Sequence, residues 1–167
     1  MNLPNNTVQV IDDLVRHWIV PPEIMVVDDD DMILEVIRKM LTSFGLSVST
    51  ANSGSKATEL YQKMYERRFQ TGVTTHPFDL IFLDMRLPDS SGMEVLEKIR
   101  KLWPPQPVVL ISGQFLNVTG ITEHGPVCID EKPITIDSVR LALAMHNVRM
   151  PANLNPFSSP SKIAAKA

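Results

Sequence analysis

The sequence predicts an α/β fold, a doubly wound parallel sheet built from five successive βα units, and three observations carry that expectation. Short apolar runs alternate with amphipathic stretches from Ile24 onward, the pattern of strands that each feed a covering helix. The runs are apolar at consecutive positions, as strands buried on both faces require. Four of them also end on a charged or hydroxyl residue: Ile24 to Val27 before Asp28-Asp29, Leu80 to Leu83 before Asp84, Val108 to Ile111 before Ser112, and Val127 to Ile129 shortly before Lys132.

The first strand is expected near Ile24 to Asp28. The helix after it, Asp31 to Phe44, would bury Ile33, Leu34, Ile37, Met40 and Leu41 at spacings of three and four, with Gly45 as its stop. A second strand near Leu46 to Ala51 leads into a helix over Gly54 to Phe69 that Ser53 would cap. Phe78 to Asp84 is the third strand, and Gly92 to Trp103 the third helix, capped by Ser90 or Ser91. Pro107 to Ser112 is followed by a weak helical stretch over Phe115 to Glu123, where Thr119, Gly120 and Thr122 have poor helix propensity. Val127 to Asp130 and the helix Thr135 to Val148 complete the set.

Two appendages flank this core, giving expected segments of 1–22, 23–149 and 150–167. In the first, Val8, Ile11, Leu14, Val15, Trp18 and Ile19 recur at helical spacing before Pro21-Pro22 ends the stretch. Its apolar face either packs on its own domain or meets a second copy or a partner. The last segment, with three prolines and three serines, reads as a disordered tail or linker.

Of 167 residues, 44% are hydrophobic, enough for one domain with a substantial core. A formal charge of −3 gives no nucleic-acid footprint and no basic membrane patch. No apolar stretch reaches the roughly 20 residues that span a bilayer, and the N-terminus lacks the pattern of a signal peptide. The lone cysteine, Cys128, lies in an apolar run, so a cytoplasmic setting is expected. His17, His76, His124 and His146 are scattered without metal-ligand spacing, and His17 is not read as a phosphotransfer histidine.

The chemistry follows from the strand ends. Parallel strands gather their C-terminal residues at one sheet edge, where ligands of open α/β sheets bind. Asp28, Asp29 and Asp84 would converge there, and two carboxylates about 4 Å apart repel by roughly 4 kcal/mol at an effective dielectric near 20. A hard divalent cation relieves that repulsion, and Mg²⁺ takes few protein carboxylates while keeping positions for phosphate and water.

Val26-Val27-Asp28-Asp29-Asp30, Leu83-Asp84-Met85-Arg86-Leu87-Pro88 with Gly92 beyond, Ser112-Gly113 and Lys132-Pro133 occur in that order, each at a strand end. Together they resemble the receiver domain of two-component response regulators, over about Ile24 to Val148. The resemblance implies a flavodoxin-like sheet in the order 2-1-3-4-5. It implies that Asp84 accepts a phosphoryl group from a histidine kinase or histidine phosphotransfer protein. Asp28, Asp29, Asp84 and the backbone carbonyl of Arg86 would hold Mg²⁺, Ser112 would bond a phosphoryl oxygen, and Lys132 would pair with Asp84 or the phosphate. It further implies a cis Lys132-Pro133 bond and an approach to Asp84 kept open by Gly113. Such a domain is a signalling module and not a conventional enzyme. Its state would be read by a downstream protein, or by self-association through the N-terminal helix or the face of helix four, strand five and helix five.

The chain departs from this family at the switch position, in its weak fourth helix and in the spacing of its acidic residues. Ile129 stands where an aromatic switch residue is usual. Asp29 and Asp84 are 55 residues apart, longer than usual, with the excess after helix two, where Tyr61, Met64, Tyr65 and Phe69 suggest a lengthened helix and an ordered loop. Arg86 and Gln114 flank the acceptor, and bulky Arg86 is expected to prolong the phosphoryl state. Two rival readings follow. One is a pseudo-receiver scaffold not controlled by phosphorylation. The other is a haloacid-dehalogenase-like phosphatase using Asp28 and Asp30 as its D-x-D pair.

Overall fold

The computed structural model describes residues 20–70, 76–113 and 127–150, with backbone alone for 127–131. The N-terminal helix, the weak stretch Phe115 to Glu123, Gln114, most of the loop after helix two and the C-terminal tail lie outside the described residues, as do the side chains of Cys128 and Ile129. Five strands, β1 (Glu23–Val27), β2 (Ser47–Ala51), β3 (Leu80–Asp84), β4 (Val108–Ser112) and β5 (Val127–Glu131), alternate with helices α1 (Asp31–Ser43), α2 (Gly54–Gln70), α3 (Gly92–Leu102) and α4 (Ile136–Met145). The sheet is parallel throughout, in the order β2-β1-β3-β4-β5. This is the expected α/β doubly wound, flavodoxin-like arrangement.

The apolar runs divide by strand period into two layers. Ile24, Val26, Leu80, Phe82, Val109 and Ile111 pack with Leu34, Ile37 and Leu41 of α1 and Val139, Ala142 and Leu143 of α4. Met25, Val27, Ile81, Leu83, Val108 and Leu110 face the other way, onto Ala57 and Tyr61 of α2 and Val95, Leu96 and Ile99 of α3. The central strands are therefore buried on both faces, while the edge strand β2, richer in Ser and Thr, is more exposed than they are. Of the five residues expected inside from the first helix, Leu34, Ile37 and Leu41 are buried, and Ile33 and Met40 are only partly covered.

The helix ends show local chemistry at work. Asp30 caps α1, accepting from the N–H groups of Met32 at 2.8 Å and Ile33 at 3.4 Å. At its far end Gly45 takes φ +78°, and the N–H groups of Gly45 and Leu46 return to the carbonyls of Thr42 and Leu41. The same closure ends α4 three residues sooner than the sequence suggests. Asn147 adopts φ 54°, and the N–H groups of Asn147 and Val148 bond to Ala144 and Leu143. Ser91, not Ser90, caps α3 in a reciprocal box with Glu94.

A buried amide ties the opposite edge of the sheet. Gln106, wholly inaccessible, accepts from Tyr61 Oη at 3.2 Å and Phe78 N at 3.4 Å, and its Nε2 donates to the carbonyls of Phe78 at 2.7 Å and Pro107 at 3.2 Å. Every polar atom of this side chain is thereby used, as burial demands.

The N-terminus of α2 is held twice. Ser53 Oγ accepts from Lys56 N at 3.3 Å, as expected of the cap. Asp89, from the loop between β3 and α3, accepts from Gly54 N at 2.8 Å and Ser55 N at 2.9 Å. These partners, the Ser55 side chain foremost and then the backbone N–H groups of Ser55 and Gly54, hold the Asp89 carboxyl down at about 2. Because the folded value lies below the ordinary 3.8, its stabilisation is present above that value and fades as the pH falls toward 2. Asp89→Ala is thus expected to lower the neutral-pH unfolding midpoint by a few degrees and to make the midpoint less steep between those pH values. A pH series of thermal melts on both proteins tests it.

Candidate functional site

The parallel register delivers the strand-end residues to one edge. Asp28 follows β1 directly, Asp84 and Ser112 close β3 and β4, and Lys132 comes one residue after β5. Asp84 pairs across the sheet with Ile111, so Ser112 stands one residue beyond the neighbour of Asp84. Lys132 N–H donates to the Ser112 carbonyl at 2.8 Å, carrying the β4–β5 ladder to the point where the lysine side chain turns into the site. The Lys132-Pro133 bond is cis, as the resemblance implies.

Lys132 Nζ lies 2.8 Å from Asp28 Oδ2 and 2.8 Å from Asp84 Oδ2. Only the Asp84 contact has the direction of a hydrogen bond. The contact to Asp28 is one of charge, and that buried oxygen has no directed donor among the described residues. Asp28 is fully buried and Asp84 nearly so, whereas Asp29 stands exposed at the mouth. The remaining oxygens take local bonds: Asp28 Oδ1 accepts from Asp30 N at 3.0 Å, and Asp84 Oδ1 from Arg86 N at a long 3.3 Å.

Burial pushes the Asp28 carboxyl above its ordinary 3.8, and the nearby Lys132 and the Asp30 N–H offset this only in part. For Lys132, burial draws the ammonium down, but its contacts with the Asp28 and Asp84 carboxylates prevail and leave it above its ordinary 10.5. The lysine is therefore held charged between two carboxylates.

Asp28, Asp29 and Asp84 each offer an oxygen within a group no wider than 4.8 Å. That set is all hard oxygen and partly buried, and the one contact of Asp28 Oδ2 among the described residues is the charge contact with the Lys132 ammonium. These residues fit a small divalent cation. Asp30 does not join them, because its carboxylate caps α1. Three adjacent aspartates have thus been divided by the turn after β1, two toward the site and one toward the helix.

Two glycines distinguish themselves. A Cβ on Gly92 would stand 2.4 Å from the Asp84 carbonyl oxygen and 2.9 Å from Met85 Cα, so α3 can begin directly against the end of β3 only with glycine there. The motif includes Gly92, but the sequence does not say why. Gly113 is less constrained than expected. A Cβ there would meet Arg86 Nη2 at 3.5 Å, an ordinary contact, so openness at this point depends on where the exposed Arg86 side chain lies.

The family model described as the response regulator receiver domain matches residues 24–144. Curated relatives include the alginate biosynthesis transcriptional regulatory protein AlgB of Pseudomonas aeruginosa, 34% identical over 123 residues, which are 72% of this chain and 25% of that protein. The probable transcriptional regulatory protein TcrX of Mycobacterium tuberculosis is 30% identical over 126 residues, 74% of this chain and 48% of that one. The chain thus spans between a quarter and a half of the length of these two relatives. Among solved structures, a response regulator receiver domain protein of Clostridium thermocellum superposes with a TM-score of 0.63 at 24% identity, covering 75% of this chain and 93% of its own. A chemotaxis protein of Vibrio cholerae gives 0.61 at 20% identity, over 78% of this chain and 100% of its own.

Proposed function

The chain belongs to the response-regulator receiver family, and on that premise we propose that it is a phosphoacceptor module in which Asp84 takes a phosphoryl group from the phosphohistidine of a kinase or phosphotransfer protein. The observation that carries this reading is the ammonium of Lys132, held 2.8 Å from both Asp28 and Asp84 at the edge where the strands end. The phosphorus–nitrogen bond of the donor breaks as a bond to an Asp84 oxygen forms. Such a transfer needs alignment and charge neutralisation more than covalent assistance.

Each residue has a part in that. The β3 backbone and the Arg86 N–H orient the Asp84 carboxylate, and Lys132 stands ready to follow the charge onto the phosphoryl oxygens. Ser112, one residue beyond the Ile111 that pairs with Asp84, would donate its hydroxyl to the incoming group. Asp28, Asp29, Asp84 and the Arg86 carbonyl would hold Mg²⁺. When bound, it would supply positive charge to the phosphoryl oxygens.

The proposed output is recognition of the phosphorylated domain by another protein or by a second copy. Ile129 pairs with Leu110 in the ladder and has no phenol to exchange partners, so any such output proceeds without an aromatic hydroxyl at that position. Among the described residues no helix is long and apolar enough to cross a membrane.

Thermal unfolding with Mg²⁺ and beryllofluoride, a mimic of the acyl phosphate, tests the proposal. Wild type is expected to gain about 2.7 kcal/mol at a ligand concentration a hundredfold above Kd, a gain that Asp84→Ala abolishes. An unshifted wild type would favour the pseudo-receiver scaffold instead.

A further inference from the structure

The packing of α2 on α3 changes along its length. At their starts the two helices touch. A Cβ on Gly54 would stand 2.9 Å from Val95 Cγ2 and closer still to Ser90 Oγ, so glycine is what permits the approach. Further along they leave between them a groove of about 220 Å³. Tyr61 and Ile99, both buried, close its floor, and half-buried Leu102 adds an apolar wall. Gln62 lines it from α2, and the exposed Lys98 and Lys101 line it from α3.

Those two lysines are not neutralised as others on the surface are. Glu35 with Lys39 at 3.3 Å and Glu59 with Lys63 at 2.6 Å show what a glutamate four residues before a lysine does elsewhere. The same spacing recurs in α3, as Glu94 with Lys98 and Glu97 with Lys101, yet neither pair closes to a salt bridge among the described residues. Glu94 Oε2 is taken by Ser91, accepting from its N–H at 2.7 Å and its hydroxyl at 3.0 Å. Lys98 and Lys101, three apart on one helix face, therefore bring two uncompensated charges to one side of the groove.

Volume and charge together select the occupant. A cavity of about 150 Å³ takes a benzene-sized group, so this groove admits an aromatic or aliphatic side chain. It is smaller than the roughly 300–1,000 Å³ of sites that enclose a drug-sized molecule. Glu94 and Glu97 stand exposed beside the two lysines on α3, so a continuous polyanion laid along this helix would meet repulsion as well as attraction. A short acidic stretch with an apolar anchor meets neither objection.

We propose that the α2–α3 groove is a docking site for an acidic segment of another protein. One apolar side chain of that segment enters between Gln62 and Leu102, and carboxylates beside it meet Lys98 and Lys101. Asp89 ties the start of α2 to the loop that follows β3, so the groove shares a helix with the edge that holds Asp84. Docking there requires no phosphoryl group on Asp84. Its test is made on the unphosphorylated protein, and its outcome is separate from that of the phosphoacceptor reading.

The probe is a random peptide library displayed on phage, selected on the full chain and cleared on a Lys98→Glu, Lys101→Glu double variant. Both positions are exposed, and circular dichroism should show the same fold. The expected clones combine Asp or Glu with Phe, Leu or Trp. Their synthetic copies should shift the amide resonances of Gln62, Lys98 and Lys101 and bind the double variant at least about tenfold more weakly. Gln62→Trp, which fills the groove without changing charge, should weaken them by a similar factor. A copy with lysine in place of each acidic residue should prefer the double variant to wild type. No acidic clone, shifts confined to other residues, or affinity unchanged in both variants would overturn the proposal. So would phosphatidylserine vesicles or oligonucleotides that displace the peptide at a lower concentration than the peptide itself binds, since the lysines would then serve a polyanion.

Discussion

Asp84→Asn is expected to cut phosphoryl incorporation from a phosphohistidine donor or acetyl phosphate by at least about a hundredfold, since an amide oxygen is a far poorer nucleophile than a carboxylate. The substitution is nearly isosteric and keeps an oxygen for Lys132, so circular dichroism should show an intact fold. Asp28→Asn is the informative companion. Asp28 is buried and offers Oδ2 to a cation and to Lys132 without being placed as the acceptor, so its loss should slow labelling and weaken the dependence on Mg²⁺ while leaving the label on Asp84. The phosphatase reading requires the reverse, with Asp28 as the labelled residue. It also needs Asp30 as a second catalytic carboxylate, and Asp30 is engaged in capping α1. Labelling the three proteins and mapping the modified residue by mass spectrometry tests both readings together.

Removing the lysine is expected to have the largest effect on stability. Lys132→Ala leaves Asp28 and Asp84 facing each other with no cation between them. Breaking a buried pair from one side costs about 3–5 kcal/mol. The Lys132 side chain is 26% exposed, so solvent relieves part of this, and a loss of about 2–3 kcal/mol without divalent ions is the expected value. Two further signs accompany it. Mg²⁺ should restore more stability to the variant than it adds to wild type, because it supplies the missing charge. The deficit should also shrink as the pH falls. Burial already lifts the Asp28 carboxyl, and losing the offsetting ammonium lifts it further, so the cost is relieved below that raised value and grows as the pH rises through it. Urea titrations from acid to neutral pH, with Mg²⁺ or with a chelator, read all three. A deficit that is constant across pH and metal would show that Lys132 acts only through packing.

Much of this site was legible because its logic is topological. Apolar runs without alternation mark strands buried on both faces, and parallel strands bring their ends to one edge, so the sequence alone gathers Asp28, Asp84, Ser112 and Lys132 there. What escaped depends on turns and on contacts distant in sequence. Nothing in Asp28-Asp29-Asp30 tells which carboxylate turns to the helix and which to the site, since the three are chemically identical until the chain bends. The bond from Asp89 to the start of α2 joins residues 35 apart and has no local signature. Gly92 belongs to a visible motif, yet its reason, the carbonyl of Asp84 in its way, is a matter of packing. The early end of α4 is hard to read because Asn147 signals a left-handed stop more weakly than Gly45 does at the end of α1.

The Gln106 knot has a consequence for how this domain tolerates change. It fastens α2, the entry to β3 and the entry to β4 at the sheet edge opposite the acidic cluster. Length added between α2 and β3 therefore ends at a fixed post, and β3 runs from that post to Asp84 in the same register whatever precedes it. The connection after Gln70 is in this sense a graft site. A reporter or a recognition loop inserted there should leave the acceptor chemistry intact, provided Tyr61, Phe78 and Gln106 are retained.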